Sequence, residues 1–212
     1  MSDVVLFLRE TFPSLFEKGV ADLEAKAASG DAKAQAALAD VKGATGAVVL
    51  EVEGEETVYL RADQGKMTVL DAAPAPGDVK LAVAAPAKAM EMLLGEAKAA
   101  GELEDEKAAQ RAVMTASKRL QDALGATSLE FHVIATGVPG LGDVPIKIGL
   151  NAPEPPQDPK FTATIAYDDM EAMQNGETNL QALFMGGKLR MAGDYSQALQ
   201  IGMQIMAQMQ QG

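Results

Sequence analysis

Apolar and polar positions alternate most regularly from Phe161 to Ala166, where Phe161, Ala163 and Ile165 stand against Thr162, Thr164 and Ala166. A period of two predicts a strand with one buried face. Asp168 and Asp169 are placed to cap a short helix on which Met170 and Met173 fall three apart, and Asn175-Gly176 stops it. Leu180, Leu183, Phe184 and Met185 read as an apolar turn. Gly186-Gly187 then leads into Lys188-Leu189-Arg190-Met191, which alternates again. Asp194 followed by Gln197 has the form of a capping box for a Met-rich last helix.

Upstream, residues 13–41 carry helical spacing. Pro13 suits a first turn, Leu15, Phe16, Val20 and Leu23 make a stripe, Ser29-Gly30 breaks it, and Asp31 can cap a second helix through Val41. Residues 46–52, 56–62 and 66–70 predict three antiparallel strands with turns at Glu53-Gly54-Glu55 and Asp63-Gln64-Gly65. A Pro-rich loop leads to a strand at 79–83 and a helix bearing Met90, Met92, Leu93 and Leu94. The second half repeats this order. A hairpin, 129–135 with 144–150, precedes a Pro-rich loop, the strand at Phe161 and a Met-bearing helix. The segments VKLAVAAPAKAMEMLLGE and FTATIAYDDMEAMQNGE align with one gap at an offset of about 81 residues, which suggests an internal duplication. Residues 97–124 read as a long charged helical segment, with Val113, Leu120 and Leu124 apolar and Glu102, Asp105, Lys107, Arg111 and Lys118 solvated.

Asp168, Asp169, Met173, Gly176, Phe184, Gly187, Lys188, Leu189, Gly193 and Asp194 occur in an order and spacing that resembles the sterol carrier protein type 2 family of lipid-binding domains. The similarity is clearest over residues 161–206 and weaker, as a divergent repeat, in the first half, where the aromatic-x-Gly-Lys-Leu element is missing. The resemblance implies an apolar tunnel for a lipid, walled by the short helix after the strand and by the last helix. The expected mechanism has the Met-rich last helix gate the tunnel by swinging or fraying, so that its truncation abolishes binding while the sheets stay folded.

Composition narrows the functional classes. The chain has 212 residues, enough for one large or two small domains, and a net charge of −12 that argues against nucleic acid and against standing adhesion to anionic membranes. Transient membrane contact through an apolar lip stays open. With no Cys there is neither a disulfide nor a thiolate metal site. The N-terminal stretch lacks the pattern of a secretory signal, no apolar run is long enough to span a bilayer, and the C-terminal residues are not a peroxisomal Ser-Lys-Leu address. These features point to a cytoplasmic protein of bacterial type. Twelve Met among few aromatics suit either core filling or an adaptable ligand wall.

Catalytic chemistry finds little support. His132, the one imidazole, sits mid-strand on the face opposite Phe131 and Val133, and has no second His or Cys for a zinc site. Carboxylate clusters at Glu51–Glu56, Glu102–Glu106 and Asp168–Glu171 follow no calcium-loop spacing. The glycines of residues 137–143 read as a hairpin loop, and Gly186-Gly187-Lys188 lacks the phosphate-loop Gly and Ser/Thr. Neither Ser128 nor Ser196 lies in a nucleophile elbow.

The sequence therefore predicts an α+β fold of antiparallel sheets covered by helices, as two fused sterol-carrier-like units: residues 1–124 (helices 13–41, strands 46–83, helices to 124) and residues 125–212. The expected function is non-catalytic binding or transfer of a sterol, fatty acid or similar lipid, without cofactor or metal. The expected ligand wall comprises Met170, Met173, Leu180, Leu183, Phe184, Leu189, Met191, Leu199, Met203 and Met206. The alternative is an interaction or dimerisation module with a self-filled core, and a carboxylate lipid hydrolase is the third hypothesis. A homodimer stays open.

Overall fold

The computed structural model describes residues 2–99, 101, 103 and 106–210, with side chains described for all of these but 106, 107, 174 and 205–210. Eight strands form one mixed sheet in the order β3-β2-β1-β4-β6-β5-β7-β8. They are β1 (Thr45–Glu53), β2 (Thr57–Asp63), β3 (Lys66–Leu70), β4 (Val79–Pro86), β5 (Leu129–Val138), β6 (Gly142–Leu150), β7 (Phe161–Ala166) and β8 (Arg190–Gly193). The helices are α1 (Asp3–Leu6), α2 (Phe12–Ala28), α3 (Ala32–Gly43), α4 (Ala87–Ala99), α5 (Glu106–Val113), α6 (Lys118–Leu124), α7 (Tyr167–Gln174), α8 (Leu180–Met185) and α9 (Ser196–Gln210). The fold class is the α+β expected from the sequence.

The two sets of strands join in a single sheet. β4 pairs antiparallel with β6, Leu81 opposite Leu150 and Val83 opposite Ile148. Each half makes an antiparallel hairpin, β1–β2 and β5–β6, and then returns a strand parallel to the first of the pair, β4 beside β1 and β7 beside β5. A parallel return needs a long crossover. In the second half that crossover includes a Pro-containing loop, in which Ala152, Pro155 and Pro156 are buried and the Pro156 carbonyl meets His132 Nε2 at 2.9 Å. His132 is thus occupied on the face opposite Phe131 and Val133.

The other sheet face carries the core. Val48, Val52, Val58, Leu60 and Met67 pack with Phe16 and Val20 of α2 and with Ala112 and Val113 of α5. α2 and α5 cross closely because Gly19 has no side chain: a Cβ there would overlap the Ala109 carbonyl and Val113 Cγ1. At the far side Ile201 of α9 packs with Leu124 and Leu129, beside Phe131 and Leu150. Phe131 and Phe161 stack with ring centroids 4.8 Å apart.

Several local expectations change. Helix begins at Asp3, not Pro13, and a π turn at Phe7–Thr11 joins α1 to α2. The missing N–H of Pro13 suits that irregular turn. The 97–124 segment is broken into the end of α4, α5 and α6. Gly101 takes a left-handed φ of 69°, and Ser117 Oγ caps α6 by accepting from Leu120 N. The apolar turn at 180–185 is a helix, α8. Asn179 caps it, and Gly187, at φ 68°, closes it while Lys188 N donates to the Leu183 carbonyl. β8 spans 190–193 rather than 188–191. The carboxylate side chains of the Glu102–Glu106 cluster and the side chain of Lys107 lie outside what is described.

Candidate functional site

β4, β5 and β7 run in the same direction, so the helices that follow β4 and β7 start at the same end of the sheet. α4 and α7 stand there with a cleft of about 520 Å³ between them. Its floor is the ends of β5 and β6, through Ala135, Val138, Val144 and Ile146. One wall is Ala89, Met90, Met92 and Leu93 of α4, and the other is Tyr167 and Met170 of α7. Small Ala side chains leave the space, and flexible Met side chains line it. Its size falls within the range of small-molecule sites.

The cleft has a polar mouth formed by Glu96, Glu171, Asn175 and Arg111. The Tyr167 hydroxyl donates to Glu96 Oε2 at 2.9 Å, tying α7 to α4. Burial, then Glu96 and Glu171, push the phenol up to about 12, because each disfavours the phenolate. Among the described residues no group of three His, Cys, Asp or Glu side chains is arranged to hold a metal. Within the same limit, no helix is long and apolar enough to cross a membrane.

Residues 101–205 match the model of the SCP-2 sterol transfer family. The matched segment contains the residues from Asp168 to Asp194 that carry the resemblance, and extends upstream to take in α5, α6 and the β5–β6 hairpin. The search of curated proteins found no match to this chain. This match supports lipid or sterol binding or transfer as a general property.

Within the SCP-2 segment, the residues of the motif hold elements in place. Asp168 and Asp169 do not cap α7, whose N-cap is Ala166 without a side-chain bond; they lie in its first turn, where negative charge is favoured. Asp169 Oδ1 instead accepts from Lys188 Nζ at 2.6 Å, fastening α7 to the turn before β8. Gly176, at φ 76°, closes α7 as expected, with Glu177 N donating to the Ala172 carbonyl. Gly193 is required because its φ is 94° and a Cβ would stand 2.6 Å from the Lys160 carbonyl. Asp194 accepts from Ser196 N at 3.2 Å and Ser196 Oγ at 2.5 Å, and these bonds hold its carboxyl below the usual range. The reciprocal capping-box bond is not made, since Asp194 N donates to the Lys160 carbonyl.

Of the ten apolar residues picked from the sequence, Met170 lines the cleft. Leu183 is buried beneath α8, while Met173, Leu189 and Met191 are half-buried. Leu180, Phe184, Leu199 and Met203 face solvent, as does Met185. The side chain of Met206 lies outside the described residues, as does that of Ile205. The α4 wall and the β5–β6 floor were not among the ten. The signal for them was the internal repeat, which aligns the Met-bearing segment of α4 with that of α7.

Proposed function

We propose that the chain binds and carries a hydrophobic small molecule, noncovalently, in the cleft between α4 and α7. The observation that carries this reading is the apolar space of about 520 Å³ opening over Ala135, Val144 and Ile146 inside a chain with an SCP-2 segment. Binding would be driven by removal of ligand surface from water, at about 25 cal/mol per Å² of apolar area. No acid–base pair or nucleophile is needed, and the Glu51–Glu56 and Asp168–Glu171 carboxylates act in turns, first-turn electrostatics and ion pairs. Met170 belongs to the binding wall in this reading; of the rest of the sequence-derived set, the eight with described side chains do not line the cleft.

Native mass spectrometry of the purified protein, with extraction of any adduct, tests the proposal. A discrete lipid, or uptake from a panel of sterols and fatty acids, supports it. Substitution Ile146→Trp fills the floor from a half-buried strand position and should abolish uptake while the circular dichroism spectrum is kept. Uptake unchanged in that variant moves the ligand elsewhere.

One observation favours a second reading, an interaction module. Leu180 is 58% and Met185 78% exposed on α8, and Met203 60% exposed on α9. Exposed apolar residues of this size mark contact surfaces when they gather. Light scattering after size exclusion separates the two: a dimer without lipid uptake favours the module.

A further inference from the structure

The floor of the cleft is hydrocarbon but its mouth is not. Glu96 comes from one wall and Glu171 from the other, and both side chains are exposed at the rim. The Tyr167 hydroxyl, bonded to Glu96 Oε2 at 2.9 Å, also lies within electrostatic reach of Glu171. Among the described lining residues Arg111 is the one cation, against two carboxylates on a chain of net charge −12.

We infer that the cleft takes an amphiphile with a cationic amine head, its alkyl chain on the Ala135–Ile146 floor and its ammonium between Glu96 and Glu171. This selectivity rests on the carrier reading above. An ammonium brings three donors and no acceptor, which matches carboxylates that only accept. A carboxylate or phosphate head would meet like charge on both walls, with Arg111 as the one cation among the described lining residues to set against it. A neutral alcohol falls between, gaining a donor bond without the charge. The upward displacement of the Tyr167 phenol reports the same field, since burial and both glutamates act against a negative charge at the mouth. The apolar chain supplies affinity in common to all three heads, so the head decides among them.

Dodecylamine, dodecanol and dodecanoate share a chain and differ in the head. Their dissociation constants are measured at neutral pH and low salt, below micelle formation, on the full chain. The expected order is amine tightest, alcohol next, carboxylate weakest, with the amine's lead shrinking as salt is added. The double substitution Glu96→Gln and Glu171→Gln, at exposed positions that leave the core intact, should weaken the amine by about tenfold or more. It should strengthen the carboxylate and change the alcohol least, since the Gln amide oxygens still accept a bond. Dodecanoate binding as tightly as dodecylamine, or an amine affinity untouched by the double substitution, overturns the head-group assignment while alcohol binding keeps the carrier reading. Failure of all three to bind overturns both.

Discussion

At the scale of single residues, Tyr167 and Gly193 tie the elements of the site together by different physics. The Tyr167 phenol is displaced to about 12 from an ordinary 10.0, so the folded state holds its proton more tightly than the unfolded chain. The stabilisation is complete below the unfolded value, and is lost as pH rises through the folded one. Phenolate absorbance followed against pH should show one of the three tyrosines titrating late, and Tyr167→Phe should delete that late phase. A wild-type titration with every tyrosine near the ordinary value would remove the Glu96 contact from solution. Gly193 answers to sterics. Ala there would combine a left-handed φ with a Cβ 2.6 Å from the Lys160 carbonyl. Gly193→Ala should cost roughly 2 kcal/mol or more, read as a lower denaturant midpoint. Glycine and aspartate at 193 and 194 could be picked from sequence as a motif, but their reason could not. It depends on Lys160, which the chain brings alongside only when β7 pairs with β8.

At the scale of elements, strands were legible because their alternation is local, and all eight begin within two residues of the place the pattern puts them, β6 and β8 being the two displaced by two. Helices defined by caps rather than by a long stripe were harder. α8 has Leu180, Leu183 and Phe184 at helical spacing and Asn179 in front, yet its six residues resemble a turn until the Gly187 closure is seen. The long charged segment concealed α5 and α6 because its solvated residues hide the breaks. α5 matters to the packing through Gly19 of α2. Gly19→Ala should force the α2–α5 crossing apart and cost roughly 1–3 kcal/mol by overpacking, whereas a tolerated Ala with an unchanged midpoint would mean that α5 sits farther away. α9 separates stability from binding. Ile201 is buried against Leu124 and Leu129, while among the residues of α9 whose side chains are described none lines the α4–α7 cleft. Ile201→Ala should therefore lower stability by roughly 2–5 kcal/mol and leave lipid affinity of the folded fraction unchanged. A lost affinity at full folding would return the gate to the last helix, as expected from the sequence.

At the scale of the whole molecule, the cleft could not be read from sequence because its three sides come from distant segments. Local patterns identify apolar faces; the gap between faces is a property of the sheet order. α4 and α7 face one another because β6 and β5 lie between β4 and β7, and that order depends on the ladder between the two halves. We propose that the halves 1–124 and 125–212 arose as two like units and now fold as one, since each shows a hairpin followed by a parallel return. Separating them would leave β4 and β6 as bare edges with unpaired backbone groups, a hazard for aggregation. It would also divide the α4 wall from the α7 wall. Equilibrium denaturation should therefore show one cooperative transition, with secondary structure and tyrosine fluorescence lost together. Two separated transitions, or a soluble and folded 125–212 fragment that binds lipid alone, would make the halves independent units and place the ligand within the second. One transition, with neither fragment binding alone, would make the shared sheet the condition for a carrier.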